Sequence, residues 1–226
     1  KFLDRSGLNT SGLMTIEVPR TTGETAYSFV LNRPTDLIDP LGLVQWGTAV
    51  DTGTDGTDSA AGVDYHIYKV QTDAGHWVFV VKQKGGNEFF CHGLTFGGNT
   101  AAGGPFSPVG DQVPQIIADD GWKRICCGKA KPREDIVVFI GWGEGGSSAP
   151  GASIGITHSA IVTRIQTTSG QFDEGASRVL SKHGWHAAIS TWSFTEEAFR
   201  YRSKYRCFTK RQNVDWTCCP KQGTWE

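Results

Sequence analysis

Three short apolar stretches in the second half of the chain constrain its fold most strongly. They read DIVVFIGW, SIGITHSAIVTRI and SRVLSKHGW, and glycine-rich segments join them. Each stretch is rich in β-branched residues, which favour strands. The 29 glycines in 226 residues are nearly double the usual share of about 7%, and they predict many turns between short strands. We therefore expect a set of antiparallel strands here.

The segments before these strands predict a hairpin and two helices. DYHIYKVQ and HWVFVVKQ are β-rich runs separated by Thr72-Asp73-Ala74-Gly75, which is a hairpin signature. A helix-compatible segment begins at Cys91, and DQVPQIIADDGW predicts a short helix after a capping Asp. The order of hairpin, helix, helix and antiparallel strands is typical of the α+β class.

Charge and hydropathy exclude some partners. With 22 Lys+Arg and 23 Asp+Glu the formal net charge is -1, so no global attraction to nucleic acid or to an anionic membrane is expected. The basic, aromatic run FRYRSKYRCFTKRQ is interpreted as a solvated strand face and not as a nucleic-acid site. The sequence contains no apolar run long enough for membrane insertion. Targeting information could lie upstream.

The cysteines do not indicate a metal site. They are Cys91, Cys126, Cys127, Cys207, Cys218 and Cys219. Their spacing lacks the two separated pairs that a structural zinc site requires, so no metal is expected. The adjacent pairs 126-127 and 218-219 could bond with Cys207 or with each other if the domain is exported, which leaves the disulfide pattern open.

The stretch from Glu24 to Leu43 carries a specific motif. It reads ETAYSFVLNRPTDLIDPLGL, and residues 34–43 fit the pattern P-x-x-x-x-D-P-x-G-L at every fixed position. This resembles the end of an RHS-associated core, as found in polymorphic toxins. The resemblance implies that residues 1–43 are a core remnant ending in DPLGL, with a cleavage junction after Leu43. It further implies an upstream RHS shell, a cognate immunity protein, and a payload that is secreted or delivered into a target cell.

The composition changes after Val44. The segment DTGTDGTDSAAG consists mainly of Gly, Asp, Thr and Ala, residues that favour turns and loops. We therefore expect residues 44–63 to form a linker or exposed loop. Residues 64–226 are then the effector domain.

Cys91 and His158 are the candidate catalytic pair. Cys91 lies in NEFFCHGLTFGG, at the start of the segment that can become helical. Backbone N–H groups and the positive dipole end at a helix N-terminus favour a thiolate and can hold an oxyanion. His158 lies at the head of the apolar strand ITHSAIVTRI, from which it could act as base. His92 is interpreted as a local helix residue.

Two residues compete for the position that orients the base. Ser181 and His183 share one face of the strand SRVLSKHGW, whereas Lys182 points to the other face. They should lie roughly 6.6 Å apart, too far for both to bond one ring nitrogen. We favour Ser181, because it lies deeper in the apolar run, and expect His183 to be more exposed.

A second resemblance covers about 100 residues. Cys91-His92-Gly93, KPREDIVVF, THSAIV and SKHG occur in this order, which resembles NlpC-type papain-like amidases. The resemblance implies a papain-like domain with an antiparallel sheet and a nucleophile-bearing helix, and a Cys–His acyl-enzyme mechanism without cofactor or metal. The chain departs from the pattern before Asp135, where Arg133-Glu134 replaces the usual Gly.

The expected function is therefore a cysteine peptidase or amidase acting as a toxin payload. Its substrate would contain an amide or ester, and both a peptidoglycan peptide and a target protein fit. An acyltransferase or protein deamidase would use the same pair of residues. A different class remains open, a non-catalytic secreted module held by disulfides that include Cys91. A free thiol at Cys91 distinguishes the enzyme from this module.

Overall fold

A computed structural model describes residues 45–97, 106–141 and 155–212. The expected core remnant 1–43, its DPLGL motif and the junction after Leu43 lie outside these residues, as do Cys218 and Cys219. Among the helices in the described ranges, none is long and apolar enough to span a membrane.

The described residues form three β-sheets and three short α-helices. The strands are β1 (Gln45–Asp58), β2 (Val63–Gln71), β3 (Trp77–Gln83), β4 (Ser107–Pro108), β5 (Lys123–Ile125), β6 (Ile136–Gly141), β7 (Gly155–Arg164), β8 (Thr167–Thr168), β9 (Gln171–Phe172), β10 (Arg178–Lys182), β11 (Ile189–Ser193) and β12 (Ser203–Thr209). The helices are α1 (Cys91–Phe96), α2 (Val113–Asp119) and α3 (Phe194–Arg200), with a 3-10 turn at Cys127–Lys129. The strands outnumber the helices, and the α+β class is confirmed.

The predicted hairpin is the centre of the first sheet, whose order is β1-β2-β3-β4. Strands β2 and β3 pair from Tyr65↔Gln83 to Gln71↔Trp77. In the turn, the Gly75 N–H donates to the Thr72 carbonyl at 2.8 Å. Gly75 has a φ of 84°, a conformation that a side chain would strain.

The expected linker over residues 44–63 is wrong for most of its length. Residues 45–58 form β1, which pairs antiparallel with β2 at the edge of the first sheet. The turn-forming residues are accommodated by a break in register between Asp51 and Thr54, typical of a bulged edge strand. Gly56 lies opposite Tyr65, and a Cβ at Gly56 would overlap the Tyr65 ring. The glycine therefore lets the ring cover the strand.

The second sheet has the order β11-β10-β7-β6-β12-β5, and all its described pairs are antiparallel. Its central strands β10, β7 and β6 are the three predicted apolar stretches. Side chains alternate between its faces: Ile136 and Val138 belong to one core cluster, and Val137 and Phe139 to another. The sheet is therefore buried on both sides.

The helices cover the two faces of this sheet. Phe96 of α1 and Ile116 of α2 pack with Ile136 and with strands of the first sheet, whereas Phe194 of α3 packs on the opposite face. The expected Asp cap of α2 is wrong, because its N-cap is Gln112 without a side-chain hydrogen bond.

One disulfide is fully described, and it joins Cys127 to Cys207. Cys126 is also disulfide-bonded. Cys91 is free and buried. The bond between Cys127 and Cys207 links the 3-10 turn to β12 and closes a segment that contains β6, β7, β10 and α3.

Removing this disulfide should destabilise the domain strongly. The bonded residues are 80 apart, and restricting the unfolded chain over such a loop contributes about 4.5 kcal/mol. We expect the double variant Cys127→Ala/Cys207→Ala to lose roughly that free energy of unfolding in urea titrations. Under reducing conditions the variant and the parent should unfold at nearly the same urea concentration. Equal stability of the two proteins when oxidised would contradict this prediction.

Candidate active site

Cys91 is the first residue of α1, which packs against β7 and β10. The side chain of its N-cap, Phe90, makes no cap hydrogen bond. Backbone groups of Ser159 and His92 hydrogen-bond the thiol. The expected position of the candidate nucleophile, at a helix start and beside the His158 strand, is therefore the one that the structure shows.

The charge state of Cys91 differs from the expectation. Burial raises the pKa of the Cys91 thiol to about 12, although hydrogen bonds from the backbone of Ser159 and His92 act in the opposite direction. The nearby carboxylate of Glu197 raises this pKa further. The expected resting thiolate is wrong, because burial outweighs the helix N-terminus. Cys91 is a neutral thiol at pH 7, and its nucleophilic use requires a base.

His158 is fully buried in β7, opposite Phe139 of β6. Its ring stacks on Tyr201, with ring centroids 4.1 Å apart and planes inclined by 13°. Its Nε2 lies 3.4 Å from Oε2 of Glu197. This arrangement fixes the plane of the imidazole and supplies a negative charge beside it.

Glu197 is the centre of the site. It is fully buried on α3, and it accepts hydrogen bonds from the Ser181 hydroxyl and from Nε2 of His183, the latter at 2.9 Å from Oε1. The ligand atoms of His158, His183 and Glu197 all lie within 4.8 Å of one another. One carboxylate thus connects side chains of β7, β10 and the segment after β10.

The pKa of Glu197 reflects these contacts. Burial alone would raise the pKa, but hydrogen bonds from His158, His183 and Ser181 outweigh it and lower the pKa to about 2. Glu197 is therefore ionised at neutral pH and only accepts hydrogen bonds. The proton of each facing imidazole consequently lies on Nε2. In a neutral His158 ring, Nδ1 is then the nitrogen that can accept a proton.

Ser181 and His183 share a face as predicted, but their contacts differ from the expectation. The Ser181 hydroxyl lies 3.1 Å from Nε2 of His183, and both side chains bond Glu197. The structure therefore gives Glu197 the contact with His158 that we expected of Ser181. Ser181 is fully buried and His183 is partly exposed, which confirms their predicted order of exposure. Lys182 faces the other side, where its Nζ lies 3.2 Å from Glu88.

Cys91 and His158 approach β7 from different sides. Neighbouring side chains of a strand point to opposite faces: the Ser159 hydroxyl lies 2.8 Å from Nδ1 of His92 on α1, whereas the His158 ring contacts Tyr201 beyond α3. The described pairing of β7 with β10 ends at Ile161↔Leu180. Beyond this point the Ser159 backbone bonds the Cys91 thiol instead. Cys91 therefore lies at the edge of β7, beside the backbone of Ser159, the residue that follows His158.

Glu197 was not predicted from the sequence. A signal was present, because Phe194, Glu197 and Tyr201 recur at helical spacing and all three are buried. A glutamate on an otherwise apolar helix face requires buried partners. The preceding Ser193 and Glu196 form a capping box that fixes the start and rotation of α3.

His92 is a buried neutral imidazole. Burial lowers the pKa of His92 to about 3, and the neighbouring His158 lowers it further. In the unfolded chain its pKa is near 6.5, so between these values the unfolded state binds more protons than the folded state. Stability supported by neutral His92 is thus present above about pH 6.5 and is lost as the pH falls toward 3.

Replacing His92 should therefore weaken the acid sensitivity of the fold. For the parent, this one group contributes a fall in unfolding free energy of about 1.4 kcal/mol per pH unit below pH 6. We expect His92→Gln to reduce the slope by roughly that amount between about pH 6 and 4.5, above the range in which Glu197 titrates. Urea titrations across this range measure both slopes. Identical slopes for the two proteins would contradict the assignment of His92 as neutral.

Comparison of the chain with protein-family profiles, with curated proteins and with solved structures gives no match. The functional assignment therefore depends on the geometry of the Cys91, His158 and Glu197 site.

Proposed function

We propose that this domain is a cysteine hydrolase that cleaves an amide or ester through an acyl-enzyme, within a papain-like, NlpC-type arrangement. One observation carries the proposal. The free, buried thiol of Cys91 lies at the start of a helix and is hydrogen-bonded by the backbone of Ser159, and the residue before Ser159 is His158, which pairs with the buried Glu197. The non-catalytic module that we considered required Cys91 in a disulfide. The free Cys91 thiol favours the enzyme.

The first step is deprotonation of the thiol. Glu197 holds the proton of His158 on Nε2, so Nδ1 accepts the proton from Sγ of Cys91. The proposal requires the two groups to meet at the edge of β7, where the Ser159 backbone already bonds the thiol. The raised pKa of Cys91 means that proton transfer occurs together with attack on the substrate and not before it.

The second step forms the acyl-enzyme. The sulfur attacks the carbonyl carbon, and the carbonyl oxygen becomes an oxyanion held by backbone N–H groups beside Cys91. The C–N or C–O bond then breaks, and the His158 imidazolium returns its proton to the leaving amine or alcohol. A water molecule deprotonated by His158 attacks the thioester and regenerates the thiol. The imidazolium formed in each step is stabilised by Glu197.

A transferase would use the same intermediate. If an amine attacks the thioester in place of water, the reaction is an acyl transfer and its product is a new amide. If the substrate is a glutamine side chain and water resolves the thioester, ammonia is released and the reaction is a deamidation. None of the described side-chain contacts favours one acceptor, so hydrolysis is the simplest form of the proposal.

The biological setting proposed is delivery of a toxin into a competing cell. The DPLGL motif supports it, and so does the Cys127–Cys207 disulfide, since such bonds persist in oxidising compartments. A cognate immunity protein then protects the producer. Peptidoglycan peptides and target proteins are both substrates of the proposed chemistry.

Directed expression tests this setting. The full chain is produced in bacteria, once routed to the cytoplasm and once to the periplasm, beside Cys91→Ala in each compartment. We expect growth arrest in one compartment only, with normal growth for Cys91→Ala at equal protein level. Arrest in the periplasm identifies a cell-wall substrate. Equal arrest by the parent and by Cys91→Ala would contradict the proposal.

A further inference from the structure

His158, His183 and Glu197 have the composition of a transition-metal site. Two imidazoles and one carboxylate form a ligand set used for Zn²⁺ and similar divalent metals, with a fourth position taken by water. Their ligand atoms converge within 4.8 Å in the interior of the domain. The three side chains come from separate elements that the second sheet and α3 hold in place.

The two distances from the carboxylate to the imidazoles match such a site. Oε2 of Glu197 lies 3.4 Å from Nε2 of His158 and 3.0 Å from Nε2 of His183. Ligand atoms at about 2.0–2.1 Å from a tetrahedral zinc ion are separated by roughly 3.3 Å. The two distances to Glu197 therefore already agree with this spacing to within a few tenths of an ångström, and the two imidazole ligand atoms lie within 4.8 Å of each other. His183 is 11% exposed in its side chain, which gives a metal ion a route to this group from solvent.

We infer that Zn²⁺, or a divalent metal of similar preference, binds Nε2 of His158, Nε2 of His183 and a carboxylate oxygen of Glu197, and that this binding switches off the proposed hydrolase. The inhibitory part rests on the proposed function, whereas the metal site does not.

The loss of activity on metal binding follows from the position of the proton on the His158 imidazole. Without metal, the His158 proton lies on Nε2 toward Glu197, and Nδ1 is the base. A metal on Nε2 displaces that proton, and the neutral ring keeps one proton, now on Nδ1. A protonated Nδ1 cannot accept the proton of Cys91. Metal binding and base catalysis at His158 are therefore mutually exclusive, although the metal does not touch the thiol.

Calorimetry with zinc chloride on the full, chelator-treated, oxidised chain tests the site. The titration is done in the Cys91→Ala variant, so that a thiol ligand is excluded. We expect one equivalent to bind, and we expect His183→Asn in the same background to weaken binding by at least about 100-fold, the upper end of what even an indirect partner of a metal ligand costs. His76→Asn is the matched control. It removes an exposed His–Asp pair, His76 with Asp119 at 3.0 Å, and should leave the affinity unchanged.

Spectroscopy gives a second measurement that does not depend on a variant. X-ray absorption at the zinc edge of the unmodified chain should show nitrogen and oxygen neighbours with two imidazoles and no sulfur. Failure to bind zinc, binding that survives His183→Asn, or a sulfur neighbour would overturn the metal site.

The inhibitory step has its own readout. Where hydrolysis is observed, one equivalent of zinc should abolish it and a chelator should restore it. Full hydrolysis by the zinc-loaded chain would overturn the switch. If the chain binds zinc but never hydrolyses a substrate, the proposed function fails while the metal site stands. If the chain hydrolyses a substrate but does not bind zinc, the metal site fails while the proposed function stands.

Discussion

Cys91→Ala should abolish the hydrolysis of a chromogenic ester or amide. Without Sγ no acyl-enzyme can form, and removing a catalytic nucleophile typically lowers kcat by roughly 10⁴-fold or more. Cys91→Ser should lose nearly as much, because a buried hydroxyl is harder to ionise than the thiol. The measurement is the steady-state rate of each purified variant against the parent.

The folded state supplies the control for this result. Cys91 is buried, and its replacement by Ala removes one sulfur atom from the core, which costs about 1 kcal/mol. Both variants should therefore unfold within a few degrees of the parent. A Cys91→Ala variant that remains folded and retains its rate would contradict the assignment of the nucleophile.

Glu197→Ala should affect stability and rate together. The carboxylate is fully buried, and it accepts hydrogen bonds from Ser181 and His183 while lying 3.4 Å from His158. Removing one member of such a buried charged group costs about 3 to 5 kcal/mol. Urea titration at pH 7 should show this loss. The more conservative Glu197→Gln keeps the volume and should lose less stability, yet kcat should fall by roughly 10²-fold, since the charge that holds and stabilises His158 is gone.

The adjacent Glu196 is the matched control for Glu197. It lies on the exposed side of α3 and completes the capping box with Ser193. Glutamine can fill the same capping position, so Glu196→Gln should leave stability and rate nearly unchanged. Because Glu197 is fully buried and acts in the proposed mechanism through His158, Glu197→Gln should lower kcat without changing KM. Equal effects of Glu196→Gln and Glu197→Gln would contradict the central place of Glu197.

Local pattern was sufficient to predict much of the second sheet. Strands β6, β7 and β10 are apolar, β-branched runs whose side chains are buried on both faces, so the pattern and the packing agree. The start of α1 at Cys91 was likewise predicted. Strand β1 was not, because its polar residues favour a loop and its order depends on a tertiary contact, the Tyr65 ring over Gly56.

In the candidate site too, some features follow from the local sequence and others depend on tertiary contacts. Sequence order placed Cys91 and His158 on neighbouring elements, and strand alternation placed Ser181 and His183 on one face. Glu197 belongs to a helix that was not predicted from the sequence, and nothing in its local sequence identifies its partners. The thiol pKa was also misjudged, since the helix N-terminus is visible in the sequence whereas complete burial of Cys91 is not. The Cys127–Cys207 pairing depends on tertiary distance in the same way.

Intact-protein mass spectrometry tests the central claim most directly. The full chain is mixed with an activated ester, quenched in acid during turnover, and weighed. Our account predicts one acyl group per chain, located on Cys91 by peptide mapping, formed more slowly in His158→Gln and absent in Cys91→Ala. Turnover of the ester without an acyl group on Cys91, or with the acyl group on another residue, would contradict it.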